Sequence, residues 1–191
     1  MTVSLQPLSP EIHGPALQRV YELVPGYWAL YGLPALPQDQ AQRDLEAAEQ
    51  EVNRYALGIL QPKEPGNPEA GAQLVGLVDF RLNWPDEGLA YLGMLMVAEP
   101  FQRQGIGTEA WQLLEPWLTE TAKMERVRLG VEQFNPGALR FFQSLGFQLT
   151  GKTLRIRSGN KFVRLLIMEK PLTARSPTSS PTSPPTSEKS A

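Results

Sequence analysis

The feature that most constrains the fold of this chain is an apolar run that ends shortly before a glycine-rich turn. The run extends from Leu89 to Val97, and Gly105 and Gly107 follow where a helical pattern begins. Glycines allow the backbone to approach a ligand closely. Free N–H groups and the positive end of the helix dipole attract anions at such a position. With Arg103 nearby as a mobile cation, the segment predicts a strand, a turn and a helix that hold an anionic group.

The residues before this run predict two more strands, at 55–60 and 73–82, and a turn at 85–88. Together the three strands would form an antiparallel meander. Leu89–Val97 is apolar on both faces, which favours a central place in the sheet. Ser9 and Pro10 predict the start of a helix that Pro25-Gly26 ends, with an apolar face at 16, 17, 20, 23 and 24. A polar helix over 39–52 carries a narrow apolar stripe that ends at Val52.

The residues after the turn predict a helix, a strand at 127–131 and a second helix. Pro116 lies inside the first helix, where a proline kinks the backbone. Asn135 and Pro136 predict the start of the second helix, and Gly146 its end. A final hairpin is predicted from 148–157 and 162–169.

Composition excludes several classes of protein. The 191 residues have a net charge of -2, which gives no broad basic surface for nucleic acid. The absence of cysteine excludes disulfides, thiolate metal sites and a cysteine nucleophile. We expect no metal, no membrane segment and a cytoplasmic location. Residues 1–172 are expected to form one domain, and the Ser/Thr/Pro-rich residues 173–191 a disordered tail.

Two segments resemble signatures of one family, the GCN5-related N-acetyltransferases (GNAT). Gln102-Arg103-Gln104-Gly105-Ile106-Gly107 is similar to the family's acyl-CoA signature Q/R-x-x-G-x-G/A. The segment from Asn135 to Phe147 is similar to its second signature, which begins Asn-Pro and ends Leu-Gly-Phe. The element order resembles that of the family over roughly residues 1–171, and the motifs specific to the family lie within Tyr91–Phe147.

The resemblance implies an α/β (α+β) fold with a mixed, strongly bent sheet and helices on both faces. Strands Leu89–Val97 and 127–131 would splay apart, with the pantetheine arm of acetyl-CoA between them. The backbone of Leu95, Met96 and Val97 would pair with pantetheine amides, and Asn135 would lie near them or near the acetyl end. The residues implied in cofactor binding are Leu95, Met96, Val97, Gln102, Arg103, Gln104, Gly105, Ile106, Gly107, Thr108, Asn135 and Phe142.

The implied reaction is direct transfer of an acetyl group to a primary amine in a ternary complex. A carboxylate must take the amine proton, and Glu132 is the preferred base over Glu99, Asp79 and Glu87. A strand bulge near Met96 and Val97 would supply an N–H to the thioester oxygen. Phe142 stands where the family often has a tyrosine that protonates the thiolate, so water or Tyr91 is expected to serve instead.

The acceptor is expected to be a small amine rather than a protein. Tyr27, Trp28 and Tyr31 are either core residues under a loop or the lining of its pocket. A homodimer is plausible by resemblance.

The sequence is also consistent with two alternative functions. Gly105-Ile106-Gly107-Thr108-Glu109-Ala110 also fits the dinucleotide pattern G-x-G-x-x-G/A, which would indicate an oxidoreductase domain. The missing hydroxyl at Phe142 is also consistent with an acyl-CoA-binding module that has weak or no activity, as a sensor or a partner-binding subunit.

Overall fold

A computed structural model describes residues 2–32, 36–64, 66–158 and 161–173. The strands of the described chain are β1 (Ser4–Pro7), β2 (Arg54–Pro62), β3 (Ala72–Leu82), β4 (Leu89–Val97), β5 (Arg126–Glu132), β6 (Gln148–Ser158) and β7 (Lys161–Pro171). The α-helices are α1 (Pro10–Glu22), α2 (Pro25–Leu30), α3 (Gln40–Gln50), α4 (Ile106–Pro116) and α5 (Pro136–Ser144). Single helical turns occur at Pro68–Ala70, Glu99–Phe101 and Trp117–Thr121.

The strands form one mixed sheet in the order β1-β2-β3-β4-β5-β7-β6. The antiparallel meander β2-β3-β4 and the central place of β4 are both confirmed. β4 and β5 run parallel, whereas the other neighbours among the described strands run antiparallel. This topology excludes the dinucleotide alternative, because that fold alternates parallel strands with helices.

Helices cover both faces of the sheet, as expected for this fold class. On one face, α1 and α3 pack against β3 and β4 around Leu17, Leu45 and Leu77. On the other face, α4 and α5 pack against the same strands around Trp111 and Phe142. β4 is therefore enclosed from both sides, which explains why its sequence is apolar throughout.

Three details of the helical regions differ from the prediction. α1 ends at Glu22, before the predicted stop at Pro25-Gly26, and Pro25 instead begins α2, since proline suits the first position of a helix. Leu23 is exposed, and Tyr21 is buried in its place. α3 ends at Gln50, so Val52 lies beyond the helix and is 86% exposed.

The predicted kink at Pro116 takes the form of a wider helical turn. α4 continues to Pro116, and Trp117–Thr121 then form a π turn in which Ala122 N donates to Trp117 O at 2.9 Å. Proline has no N–H and its ring crowds the carbonyl one turn earlier, so the regular hydrogen-bond pattern cannot continue. Leu118 stays buried on the far side of this turn, and the apolar face of α4 is preserved.

The predicted disordered tail, 173–191, lies outside the described residues except for Thr173. Within the described part of the chain, no helix combines the length and the apolar character that a membrane-spanning helix needs.

Candidate active site

A cleft opens where β4 and β5 separate. The two strands pair only from Leu89 with Arg126 to Leu92 with Leu129, and both then continue without pairing to each other. The predicted splay is thus present. Both strands, the start of α4, α5 and the α1–α2 segment line the cleft, which has a volume of about 670 Å³. On the cleft side, the backbone of β4 from residue 93 to residue 97 is not paired to β5, so it can pair with an extended ligand.

The glycine turn closes one end of the cleft. Arg103 and Gly105 have positive φ angles of 63° and 83°, so the turn curls back before α4 begins. The side chain of Gln102 donates to Val97 O at 2.8 Å, and that of Gln104 donates to Pro100 O at 3.0 Å. These bonds brace the turn from within. Gln104 is the one residue of the predicted cofactor set that does not line the cleft in the described structure.

The start of α4 presents N–H groups to this end of the cleft. Its first helical hydrogen bond runs from Glu109 N to Gly105 O at 2.9 Å, so the N–H groups of 106–108 precede it. No side chain caps α4 among the described residues. At Gly107 an added Cβ would lie 3.1 Å from the ring of Phe141, which explains the second glycine of the motif.

β4 carries a bulge, but at a different residue from the prediction. Asp79 of β3 pairs with Met94 and Phe80 pairs with Leu92, so Gly93 is the extra residue. The expected position near Met96 and Val97 is wrong, because both of those residues pair regularly with β3. A bulge leaves one residue out of the ladder and bends the strand. The bend of β4 is therefore centred on Gly93, which lines the cleft.

Glu132 lies in the cleft wall and is only 7% exposed. Its Oε1 accepts a hydrogen bond from the hydroxyl of Tyr31, a residue 101 positions earlier. Its Oε2 lies 3.5 Å from Nδ2 of Asn135. A buried carboxylate is costly unless hydrogen bonds satisfy it, and these two side chains supply them. Of the other three carboxylates considered as bases, Glu99 also lines the cleft and accepts from Gly26 N at 3.2 Å.

Asn135 lines the cleft and also caps α5. Its Oδ1 accepts from Ala138 N at 3.1 Å, and its backbone N donates to Glu132 O at 2.8 Å. Asparagine is one of the preferred residues at a helix start. The same residue therefore fixes the first turn of α5 and orients the end of β5 that carries Glu132.

Tyr27 and Trp28 of α2 and Tyr31, which follows it, have different roles. Tyr27 lines the cleft, and its hydroxyl lies 3.5 Å from that of Tyr31. Trp28 packs against Tyr21 and donates from Nε1 to Tyr21 O at 2.8 Å, as a core residue would. Burial raises the pKa of Tyr27 to about 12, and burial also raises the pKa of Tyr31. Both phenols are therefore protonated near neutral pH.

Phe142 lines the cleft and is buried against Phe141 and Phe147. Tyr91, the expected substitute acid, does not line the cleft. Its ring packs edge-on against Trp84, and it lines a smaller pocket on the α1–α3 face of the sheet. The reason is strand alternation, since Tyr91 precedes the bulge and points to the face opposite Leu92. The structure therefore gives no support to Tyr91 as the acid.

Sequence reasoning missed other residues of the cleft wall. From α5 these are Gly137, Ala138 and Phe141, and from β5 they are Leu129, Gly130 and Val131. Ala138 precedes Phe141 by three residues and Phe142 by four, a helical spacing that could have identified these α5 residues.

Comparison with known proteins agrees with this geometry. The sequence profile described as Acetyltransferase (GNAT) family matches residues 20–147. An acetyltransferase from Thermus thermophilus is 28% identical with a TM-score of 0.70, over 90% of this chain and 98% of that one. A GCN5-related N-acetyltransferase from Brucella melitensis is 15% identical with a TM-score of 0.71, over 89% of this chain and 76% of that one.

The PaiA N-acetyltransferase of Thermoplasma acidophilum, solved in complex with coenzyme A, is 16% identical with a TM-score of 0.62. That match covers 90% of this chain and 99% of the other. No curated protein sequence matches the chain significantly. The family profile covers more than half of the chain and the fold agrees with it, so this chain belongs to the GNAT family of acetyltransferases.

Proposed function

We propose that this protein is an N-acetyltransferase that moves an acetyl group from acetyl-CoA to a primary amine of a small molecule. The observation that carries the proposal is the cleft between β4 and β5, which joins an anion-binding turn to a buried carboxylate. A structural neighbour was solved with coenzyme A, which supports the choice of donor.

The residues present fit an acyl-CoA. The N–H groups at the start of α4 and the side chain of Arg103 would hold the pyrophosphate. The unpaired edge of β4 from 93 to 97 would pair with the amides of the pantetheine arm. Phe142 and the apolar side chains of β5 would pack along that arm and keep water out.

Acetyl-CoA would supply an acetyl group whose C–S bond breaks as the C–N bond to the amine forms, and the coenzyme would leave as its thiol. The amine must be neutral to react. An alkyl amine with a pKa of ~10.4 costs about 4–5 kcal/mol to deprotonate near neutral pH. Glu132 is the base in this proposal. Tyr31 holds Oε1 of Glu132, and Oε2 is the oxygen that takes the proton, directly or through a water.

The proton for the departing thiolate needs a donor other than Phe142. Tyr27 is the phenol in the described cleft lining, and its hydroxyl contacts Tyr31. A thiol with a pKa of ~8.5 is a tolerable leaving group even without help. Burial raises the pKa of Tyr27 to about 12, which makes its phenol a weaker acid than the thiol, and its hydroxyl donates to Tyr31. We therefore assign the proton of the departing thiolate to water in place of Tyr91.

A second candidate is an acyl-CoA-binding protein without turnover. Phe142 favours it, because a phenyl ring at the cleft wall has no proton to give. The two functions differ in one measurement, the release of free thiol when acetyl-CoA and an amine are both present. Binding without thiol release for any amine would support the second candidate.

The test of the binding site uses calorimetric titration with acetyl-CoA and, separately, with NAD. The variants are Gly105→Asn and Gly105→Asp, which have nearly equal shape. An added Cβ at Gly105 meets open space, and asparagine tolerates the positive φ there. The aspartate adds a negative charge near the proposed pyrophosphate site. We expect Gly105→Asp to bind acetyl-CoA at least ~10-fold more weakly than Gly105→Asn, or about 1.4 kcal/mol.

Equal affinity of the two Gly105 variants would contradict the placement of the pyrophosphate. A protein that does not bind acetyl-CoA would contradict both candidate functions. We expect no heat from NAD.

A further inference from the structure

Four aromatic rings form a row between two carboxylates. The row runs from Tyr21 through Trp28 and Tyr27 to Tyr31, with successive ring centroids 5.1, 5.0 and 5.3 Å apart. At one end, the hydroxyl of Tyr21 donates to Oδ2 of Asp44 at 2.9 Å. At the other end, the hydroxyl of Tyr31 donates to Glu132. α1 supplies Tyr21, α2 supplies Tyr27 and Trp28, and Tyr31 follows α2 directly. The first three rings pack in the core on the α1–α3 face of the sheet, and Tyr31 packs against residues of β7.

A second pocket lies at the Asp44 end of the row. It has a volume of about 220 Å³, and its lining includes Tyr21, Asp44 and Met94. Gly93 and Met94 line both this pocket and the cleft. The two cavities are therefore neighbours at the bulge of β4. A ligand with one end in the cleft could extend past Gly93 into the second pocket.

Asp44 is the carboxylate beside the second pocket that has no cationic partner among the ion pairs of the described residues. Arg54 pairs with Asp79 at 2.9 Å and with Glu51 at 3.3 Å, and Arg81 pairs with Glu51 at 2.7 Å. The charges of Arg54 and Arg81 thus balance those of Asp79 and Glu51. The two hydrogen bonds that Asp44 accepts from described residues come from neutral groups, the hydroxyl of Tyr21 and the amide of Gln40. Arg54 and Arg81 line the pocket together with Asp44 and Asp79. With Glu51 counted, the cluster has three carboxylates and two cations, and Asp44 is the carboxylate that neither arginine pairs with among the ion pairs of the described residues.

The field of both carboxylates reaches the middle of the aromatic row. Burial is the main reason for the raised pKa of Tyr27, and the charges of Glu132 and of Asp44 raise it further. Tyr21 is buried, whereas Tyr27, Trp28 and Tyr31 are partly exposed. Partly exposed aromatic rings near two carboxylates are a favourable environment for alkylammonium groups, because ring faces also attract cations.

We propose that the acceptor is a linear primary amine with a second cationic group, placed so that Glu132 receives one nitrogen and Asp44 the other. The inference rests on the proposed function and specifies its substrate. The nitrogen near Glu132 loses its proton and is acetylated. The nitrogen near Asp44 stays charged, and the carbon chain between them passes Met94 and the aromatic row.

The test compares linear α,ω-diamines with linear monoamines of the same carbon number. The variant is Asp44→Asn, which keeps an oxygen for the hydroxyl of Tyr21 and removes the charge. The matched control is Glu46→Gln, which removes one charge from the exposed side of the same helix, where Glu46 accepts from Gln42. Both variants are first checked for unchanged thermal melting.

We expect Asp44→Asn to raise the KM for the best diamine about tenfold, which corresponds to about 1.4 kcal/mol. The KM for the monoamine and kcat for both amines should change less than about twofold, and Glu46→Gln should leave all of them unchanged. Calorimetric titration of the diamine alone should show the same loss of affinity in Asp44→Asn, which gives a readout independent of turnover.

Three results would overturn the inference. One is an equal effect of Asp44→Asn on diamines and monoamines, and another is a wild-type preference for monoamines or for zwitterionic amines. The third is unchanged diamine affinity in the titration. If acetyl-CoA binds and no amine releases thiol, the proposed function fails instead, and the diamine titration still decides whether Asp44 binds a cation.

Discussion

The two ends of the cleft are formed by different kinds of chemical group. The proposed donor end, formed by residues 102–108 and the open edge of β4, consists mainly of backbone groups from one continuous stretch of chain. The proposed acceptor end, formed by Tyr27, Tyr31 and Glu132, consists of side chains from α2, the residue after α2, and β5. Asp44 of α3 lies in the neighbouring pocket. The donor end should therefore depend on backbone conformation, whereas the acceptor end should depend on single side-chain atoms.

The largest effect should come from Glu132→Gln. The amide keeps an oxygen for the hydroxyl of Tyr31 but cannot take a proton from the amine. We expect kcat to fall by at least ~100-fold, the usual range for loss of a general base. The affinity for acetyl-CoA should stay within about twofold, because the change lies at the acceptor end. Steady-state thiol release and acetyl-CoA titration measure the two quantities.

A kcat that stays within a few-fold of wild type in Glu132→Gln would move the role of base to another carboxylate. Glu99 is the first alternative, because it also lines the cleft.

The next effect concerns the stability of the acceptor end at high pH. The pKa of Tyr27 is raised from 10.0 to about 12, mainly by burial. Between these values the unfolded chain loses the proton while the folded chain keeps it, so stability falls as pH rises from about 10 to about 12. We expect Tyr27→Phe to lose stability less steeply over this window, by ~1–2 kcal/mol in total. Urea unfolding at several alkaline pH values measures the slope.

Ultraviolet difference absorbance gives an independent check on Tyr27. Subtracting the alkaline titration of Tyr27→Phe from that of the wild type should show one phenol that ionises near pH 12. A midpoint near 10 would mean that Tyr27 is open to solvent, and the acceptor end would then be less enclosed than the structure indicates.

The smallest effect should come from Phe142→Tyr, at the boundary between the two ends. A hydroxyl there restores the proton donor that the family resemblance implies at this position. If the thiolate leaves with only water to protonate it, kcat should change less than about threefold, an effect below ~1 kcal/mol. A large increase in turnover would show instead that the native site lacks an effective acid. Acetyl-CoA affinity, measured in parallel, separates a catalytic effect from altered packing.

The same contrast explains how much could be predicted from the sequence. The bounds of β4 agree with the prediction, because turn residues stand on both sides of an apolar run. The start of α5 agrees because Asn135 and Pro136 act through neighbouring atoms. The glycine turn belongs to the same class, since the bonds that brace it join residues no more than five positions apart.

The contacts of the acceptor end were beyond prediction for the opposite reason. The bond from Tyr31 to Glu132 joins residues 101 positions apart, and no local pattern indicates it. The bulge at Gly93 depends on how β3 pairs with β4, so sequence reasoning placed it near Met96. Tyr91 could serve as the acid only if it pointed into the cleft, and the extra residue at Gly93 puts it on the face opposite Leu95.

The bulge also bears on insertions and deletions in this chain. Leu92 and Leu95 point to the α4 face, whereas Tyr91, Met94 and Met96 point to the α1–α3 face, as their partners on β3 require. If Gly93 is left out, the remaining residues alternate between the faces without a break. Deleting it would therefore straighten β4 without turning any neighbour to the wrong side. The length of β4 beside the two cavities is thus adjustable by one residue while both cores stay packed.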